Sequence, residues 1–276
     1  MLHTIFDNKS SNFSVQHGQQ TIIQSIYSVT KSIGFVLSIN CLGTSFADAS
    51  ASNHALNRQS RYVPGVVSII QDHSYIRTHN APIYWKISPY YMPQPTDASC
   101  SLASATMVMN ALRIPQMQYA NQKLATTNSV VHSTRNAWEN DVKQGGDGVT
   151  LDEFGSFLSQ TMKAYNILPT KLEVIHATSV KDIVTKFHQA LLESEKTGLT
   201  FIIVNFDQKF ISGTESVGHF APVGAYDANT KRVLIMDPDR ELFEPYWVSE
   251  HRLLKGMETA DSDAHKNRGF VIVTVK

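Results

Sequence analysis

The residue in this 276-residue chain with the clearest capacity for chemistry is Cys100. It follows a loop of turn-forming residues and precedes a run whose apolar residues recur three and four positions apart, which predicts one face of a helix. Asp97 or Ser99 could cap the first turn of that helix. A thiol at a helix N-terminus meets the positive end of the dipole, which favours a nucleophilic thiolate. A small buried core cysteine fits this stretch equally well.

A predicted β-hairpin brings an imidazole beside a carboxylate. Residues 227–231 form its turn, so Tyr226 is expected to lie opposite Arg232. Extending that register outward puts Asp237 within diagonal reach of His219 on the same face of the sheet. A carboxylate in that place can fix the tautomer of a general base and stabilise its imidazolium form. Taken singly, the histidine also fits a core position and the aspartate a turn before proline.

Two further residues complete a candidate site. The side-chain amide of Gln94, six residues before Cys100, could donate to an oxyanion beside the Cys100 N–H. Gly218 has no side chain and would let a substrate approach closely. The chain order of Cys100, His219 and Asp237 is the order of a papain-like site, in which Cys, His and Asn or Asp come from two lobes. We therefore expect these residues to form one nucleophilic site rather than separate structural features.

Composition narrows the possible function. Lys plus Arg and Asp plus Glu number 24 each, so the net charge is zero and nothing indicates a nucleic-acid partner or an anionic membrane surface. The two cysteines exclude a disulfide framework and a zinc site built on several thiolates. Eleven histidines leave a non-enzymatic metal-binding protein as an alternative of another class, although none are spaced i, i+4 or as His-x-His.

The N-terminal part of the sequence has the pattern of an export signal. Lys31 precedes an apolar run, 33–42, and small residues near Ala47 fit a cleavage site. The run is too short to span a bilayer, for which about 20 residues are needed. We expect an exported protein, periplasmic or secreted, without a stable membrane span and with Cys100 as its sole mature cysteine. The alternatives are a buried helix at 33–42 and a cytoplasmic protein.

The expected organisation has an N-terminal extension with the signal (1–47), a linker or arm (48–80) and a catalytic domain (81–276). The domain begins with an irregular aromatic segment at 81–95, then a helix from Cys100, and a polar loop over 116–148. Helices should also open at the Thr150–Glu153 capping box and near 179–182, before strands at 200–206, 220–226, 232–236 and 270–275. Helices followed by sequential strands predict an α+β fold, with a helical N-terminal lobe and an antiparallel-sheet C-terminal lobe.

Several ordered sequence blocks resemble the phytochelatin synthase family from about Pro82 to the C-terminus. They are Gln94 with 100–104 (CSLAS), 204–206 (VNF), 218–226 (GHFAPVGAY), 235–240 (IMDPDR), 245–248 (PYWV) and 268–270 (RGF). The resemblance implies a papain-like fold and a thiol nucleophile that acts on glutathione. Such an enzyme releases glycine and passes the γ-glutamylcysteinyl group to another glutathione or to water.

Roles follow from the matching positions. The resemblance makes Cys100 the nucleophile, His219 the base, Asp237 its orienter and Gln94 the oxyanion donor. It also makes four residues candidate substrate contacts: Arg240, which would order the site or meet a substrate carboxylate, with Asn205, Gly218 and Ser101.

The resemblance also bears on partners and cofactors. Glutathione would be both acyl donor and acceptor, no cofactor is required, and cadmium or zinc would enter as thiolate complexes of the substrate. The resemblance leaves open whether the protein forms a homodimer. Three residues depart from the family pattern: Ser101 stands where Gly is common, Ala221 where Ser is common, and Gln208 where a basic residue is common. These departures bear on how the carboxylates of glutathione would be recognised. The resemblance is to the short bacterial members, which lack the cysteine-rich second half of plant members and in which hydrolysis can dominate. A papain-like peptidase or amidase for another peptide is the alternative.

Overall fold

A computed structural model describes residues 60–116, 121–214 and 216–276. The predicted signal segment with Ala47 lies outside these residues, as does the first part of the predicted arm. Within the described ranges, no helix is both long enough and apolar enough to cross a membrane.

Nine α-helices lie in the described residues. In chain order they are α1 (Ser74–Thr78), α2 (Pro82–Ile87), α3 (Cys100–Leu112), α4 (Thr127–Ser133), α5 (Glu139–Val142), α6 (Leu151–Ala164), α7 (Lys181–Thr197), α8 (Lys209–Ser212) and α9 (Glu250–Met257). Two short 3-10 turns, Ser88–Tyr90 and Ile114–Gln116, follow α2 and α3.

Nine strands form two sheets in the same residues. They are β1 (Val67–Ser68), β2 (Lys171–His176), β3 (Thr200–Asp207), β4 (Gly218–Asp227), β5 (Arg232–Ile235), β6 (Tyr246–Ser249), β7 (Ala260–Asp261), β8 (Lys266–Asn267) and β9 (Gly269–Thr274). The main sheet has the order β1-β6-β5-β4-β3-β9-β2, and all its pairs are antiparallel. The predicted α+β class with an antiparallel sheet is therefore confirmed.

The main sheet is buried on both faces. Along β3, Phe201 and Ile203 belong to the apolar cluster that includes α3 and α6, whereas Ile202 and Val204 belong to the cluster that includes α7 and α9. Successive side chains of a strand point to opposite faces, so the sheet separates two helical layers. Residues 67–68 of the predicted arm form an edge strand of this sheet.

The α3 helix differs from the expected amphipathic helix because all 13 of its residues are buried. A helix covered on every side is a core element, and it packs against β4. Its burial explains the small residues Ala103, Ser104 and Ala105, which leave space for the neighbouring strand. The first residue of this rigid element is Cys100.

Other predictions were partly wrong. The capping box of Thr150 and Glu153 is present and α6 ends before Tyr165, as expected. The segment 81–95, expected to be irregular, begins with α2, because proline is favoured at the first position of a helix. The polar stretch 116–148 contains α4 and α5 instead of a continuous loop.

The hairpin register was predicted one residue out of place beside the turn. Tyr226 pairs with Val233, not with Arg232, but beyond an irregularity at Gly224 the register shifts and Val223 pairs with Ile235, as expected. The bulge inserts one extra residue into β4. A side chain at Gly224 would meet the Met236 side chain at 2.9 Å, so the close packing there requires glycine.

Candidate active site

Cys100 is the first residue of α3, and no side chain caps the helix. The Ser99 hydroxyl instead donates to the Thr96 carbonyl and accepts from the Thr96 N–H, at 2.9 and 2.7 Å. Asp97 accepts hydrogen bonds from the loop at 144–145. The capping expected of Ser99 or Asp97 was therefore wrong. The first turn keeps its backbone N–H groups and its dipole free of a competing side-chain acceptor.

His219 links Cys100 to Asp237. Its Nε2 atom lies 2.8 Å from Asp237 Oδ1, as expected from the hairpin, and the pair is 4% and 0% exposed. Cys100 is 8% exposed, and its side chain is close enough to the imidazole to raise the pKa of His219. Because Nε2 is engaged by the carboxylate, Nδ1 is the ring nitrogen left for the thiol. The imidazole therefore bridges sulfur and carboxylate in a nearly water-free place.

The surroundings of His219 favour its charged form. Burial lowers the pKa of His219, but the charge and hydrogen bond of Asp237 outweigh burial, and the interaction with Cys100 adds to them. Together they hold the pKa of His219 well above its usual range. An imidazolium at this position can stabilise a thiolate and can donate a proton to a leaving group.

Asp237 is itself held by several donors. Its Oδ1 atom also accepts the Asp239 N–H at 2.9 Å, and its Oδ2 atom accepts the Tyr246 hydroxyl at 2.8 Å. The Tyr91 hydroxyl donates to the Asp237 carbonyl at 2.6 Å. These bonds fix both the carboxylate and the backbone that carries it.

Gln94 lies beside the same group. Its backbone N–H donates to the Pro238 carbonyl at 2.8 Å, which ties the loop before α3 to the loop after β5. The side-chain Nε2 contacts only the Asp97 carbonyl at a marginal 3.5 Å, so it has donor capacity to spare. Gln94 lines the same cavity as His219.

Two cavities meet at the candidate site, and Val217 and Gly218 line both. We call the first the Arg240 cavity, because Arg240 lines it together with Gln94 and His219. The second, of about 690 Å³, is the Arg268 cavity and contains Cys100. Cys100 thus lines one cavity and His219 the other.

The Arg268 cavity has charges of both signs. Arg268 lines it together with five acidic residues, Asp141, Asp147, Glu153, Asp261 and Asp263. Burial and the neighbouring charges of Glu153 and Asp147 raise the pKa of Asp141. The cavity is therefore suited to a ligand with an ammonium group near a carboxylate.

Buried polar atoms in the Arg268 cavity lack partners. Asn205 Nδ2 donates to the His219 carbonyl at 3.4 Å, but Asn205 Oδ1 and Arg268 Nε are buried and have no hydrogen-bond partner among the residues that the structure describes. A Cβ atom at Gly218 would lie 3.1 Å from Arg268 Nε, so glycine keeps space for the guanidinium. A bound ligand could satisfy the two orphan atoms.

The other two predicted substrate contacts, Arg240 and Ser101, do not line the Arg268 cavity. Arg240 Nη1 donates to the Phe243 carbonyl at 2.6 Å and to the Tyr91 hydroxyl at 3.1 Å, and the guanidinium stacks on the Tyr91 ring. Part of its role is therefore to hold Tyr91 against Asp237. Ser101 is buried, its hydroxyl has no partner, and it lines neither cavity.

Sequence reasoning missed Arg268 and Tyr246 as site residues. Both stand in blocks that carried the family resemblance, 268–270 and 245–248, which was the available signal. As for metals, the described residues contain no group of three or more His, Cys, Asp or Glu placed to hold an ion.

Comparison with known proteins supports the resemblance. Residues 73–270 match the family described as phytochelatin synthase. Glutathione gamma-glutamylcysteinyltransferase 1 of Lotus japonicus is 26% identical over 192 residues, which are 69% of this chain and 36% of that protein. The glutathione gamma-glutamylcysteinyltransferase of Schizosaccharomyces pombe is 23% identical over 191 residues, 69% of this chain and 43% of that protein.

The matched region spans less than half the length of these relatives. The family match nevertheless covers most of this chain and takes in Cys100, His219 and Asp237. This chain belongs to the phytochelatin synthase family.

Proposed function

We propose that this protein is a papain-like thiol enzyme that transfers the γ-glutamylcysteinyl group of glutathione. The observation that carries the proposal is the buried imidazole of His219, which joins a thiol at an uncapped helix N-terminus to a fully buried carboxylate. This arrangement supplies a nucleophile, a proton donor and an orienting group for acyl transfer.

In the first step, the Cys100 thiolate attacks the carbonyl carbon of the Cys–Gly amide. The Cys100 N–H and the Gln94 amide donate to the oxyanion that forms. The C–N bond then breaks, the His219 imidazolium gives its proton to the departing amine, and glycine leaves. The γ-glutamylcysteinyl group remains as a thioester on Cys100.

The Arg268 cavity would hold the γ-glutamyl part of that acyl group. The α-carboxylate of the γ-glutamyl residue would pair with Arg268, and its α-ammonium with the surrounding carboxylates. Asn205 Oδ1 needs a donor, and an amide N–H of the substrate supplies one. This charge pattern favours glutathione over a peptide that lacks a free α-amino acid group at this end.

The second step needs an acceptor on the other side of the thioester. Glycine would leave through the Arg240 cavity, and either the amine of a second glutathione or water would enter there. His219 is neutral after it has given its proton to glycine, so it can take a proton from the attacking group. The C–S bond of the thioester then breaks. Heavy-metal ions such as cadmium would take part as thiolate complexes of glutathione, as substrates rather than protein-bound cofactors.

The test is incubation of the purified protein with glutathione, with and without cadmium, followed by quantification of glycine, γ-glutamylcysteine and its polymers. We expect glycine release that Cys100→Ser abolishes. Glycine release undiminished by Cys100→Ser would contradict the proposal. Cysteine-dependent cleavage of other peptides, without glycine release from glutathione, would favour the peptidase or amidase alternative.

We also propose that the protein is exported and cleaved after Ala47, on the signal pattern of its sequence. Expression of the full chain with N-terminal analysis of the fractionated protein tests this. A periplasmic or secreted form beginning at Asp48 is expected, and an uncleaved cytoplasmic form would contradict it.

A further inference from the structure

Tyr246 is a buried polar residue that the proposed reaction does not use. It lies on β6 and is fully buried, with its ring packed against those of Tyr62 and Phe243 at centroid distances of 5.5 and 5.9 Å. Its hydroxyl donates to Asp237 Oδ2 at 2.8 Å. The apolar packing of the ring places this donor firmly at the end of the carboxylate farther from His219.

The hydrogen bonds of Asp237 show why this donor matters. Oδ1 accepts two bonds, from His219 and from the Asp239 N–H, whereas Oδ2 accepts only the bond from Tyr246. Without that hydroxyl, one oxygen of a fully buried carboxylate would lose its hydrogen bond, and the carboxylate would be free to turn away from His219. Burial and then the charge of Asp237 hold the pKa of Tyr246 well above its usual range, so the hydroxyl keeps its proton.

We propose that Tyr246 is a positioning residue, whose hydroxyl holds the Asp237 carboxylate in the orientation that pairs it with His219 and so supports the reactivity of Cys100. This inference rests on the proposed thiol chemistry. Tyr246 touches neither cavity and acts only through Asp237.

Other charged or titratable groups face the same carboxylate and must be considered in a pH experiment. Asp239 lies beside it, and burial followed by the charge of Asp237 raises the pKa of Asp239. The groups around Asp237 and Tyr246 from the packed elements are His219, Cys100, Asp239, Tyr91, Arg240 and Tyr62. All of them are retained when only the Tyr246 hydroxyl is removed, so a change in pH profile reports that hydroxyl.

The experiment measures the alkylation rate of Cys100 by iodoacetamide across pH, quantified on the Cys100 peptide by mass spectrometry. This readout follows thiolate formation and does not depend on which substrate the enzyme uses. In Tyr246→Phe, the lower midpoint of the profile should move up by about one pH unit, with a roughly tenfold slower rate below it. Glycine release from glutathione should show a lower kcat with little change in KM.

The matched control is Tyr226→Phe. The Tyr226 hydroxyl also donates to a buried carboxylate, Glu250 Oε2 at 2.6 Å, and the imidazole beside it is that of His188 rather than His219. Thermal unfolding should show a comparable loss of stability in both variants, whereas the alkylation profile should shift only in Tyr246→Phe. Coincident profiles for Tyr246→Phe and the unmodified protein, or an equal shift in Tyr226→Phe, would overturn the inference. A shifted profile in a protein that leaves glutathione intact would uphold it and reject the proposed substrate.

Discussion

The substitution Asp237→Asn tests whether the carboxylate charge sets the protonation of His219. The change keeps the size of the side chain, and hydrogen bonding can be preserved. The amide oxygen can accept from His219 and the Asp239 N–H, as Oδ1 does now. The amide nitrogen can donate to the Tyr246 hydroxyl, which need only rotate its hydrogen. The variant therefore loses charge rather than packing.

The expected loss of stability follows from those three hydrogen bonds. A bond to a charged group contributes about 1.5–3 kcal/mol and a neutral one about 0.5–1.5 kcal/mol, so each bond loses about 1 kcal/mol. The free energy of unfolding should therefore fall by about 3 kcal/mol where His219 is charged in the unmodified protein.

The pH dependence follows from the direction of the pKa shift. The pKa of His219 is raised in the folded protein, so its contribution to stability is fully present below the unfolded value of about 6.5 and is lost as pH rises through the folded value. In Asp237→Asn, burial is left as the main influence and lowers the pKa of His219. The variant therefore loses stability as pH falls below about 6.5. The difference between the two proteins should be largest at the acidic end and narrow as pH rises.

Urea unfolding between about pH 5.5 and pH 9 measures this difference. The matched control is Asp227→Asn, because Asp227 is also buried and accepts bonds from Asn229 and Thr230 but contacts no histidine. The loss of unfolding free energy in Asp227→Asn should be the same at every pH in this range. A loss for Asp237→Asn that is independent of pH, or that grows with pH, would refute the charge-based explanation.

Three further predictions concern the cavities. Gln94→Ala should lower kcat for glycine release by about 10²–10³-fold, the usual effect of removing one oxyanion donor, while Cys100 alkylation stays unchanged. Arg268→Lys should raise KM for glutathione by roughly tenfold with a smaller effect on kcat, because lysine cannot make a bidentate bond to a carboxylate. Gly218→Ala should raise KM in the same direction, since the added Cβ would stand 3.1 Å from Arg268 Nε and displace the guanidinium.

Each of these variants has a control or a contradicting result. Gln144→Ala removes another amide of the Arg240 cavity and should leave kcat near that of the unmodified protein. Arg252→Lys changes an arginine that bonds only backbone carbonyls and lines neither cavity, so its KM should not change. An equal effect in either control, or slowed alkylation in Gln94→Ala, would contradict the assigned roles. For Gly218→Ala, a fall in kcat at constant KM would contradict the proposed displacement of the Arg268 guanidinium.

The parts of the fold that were predictable from sequence depend on neighbours in the chain. The helix from Cys100 follows from local apolar spacing, and the α6 start from a four-residue capping box. The contact of His219 with Asp237 needed only one hairpin and survived a register error at the turn, because the bulge at Gly224 shifts the register back.

The Arg268 cavity could not be predicted in this way because it depends on strands far apart in the chain. In the sheet, Asn205 of β3 pairs with Gly269 on one side and with Phe220 on the other. Arg268 directly precedes Gly269, and Gly218 lies two residues before Phe220, so that register carries both to the same edge of the site. The pairing of β9 with β3 joins segments more than sixty residues apart, and no local pattern specifies it.

The meeting of two cavities at Gly218 bears on how the proposed reaction divides between transfer and hydrolysis. The thioester would stand between the Arg268 cavity, which keeps the acyl group, and the Arg240 cavity, which glycine leaves. The Arg240 cavity, of about 420 Å³, is much larger than the roughly 30 Å³ that one water occupies. An acceptor peptide bound there would gain an effective concentration that water lacks, because binding holds its amine beside the thioester. Transfer should therefore dominate once the acceptor occupies this cavity, and hydrolysis when it is empty, so the ratio of polymer to free γ-glutamylcysteine should rise with glutathione concentration.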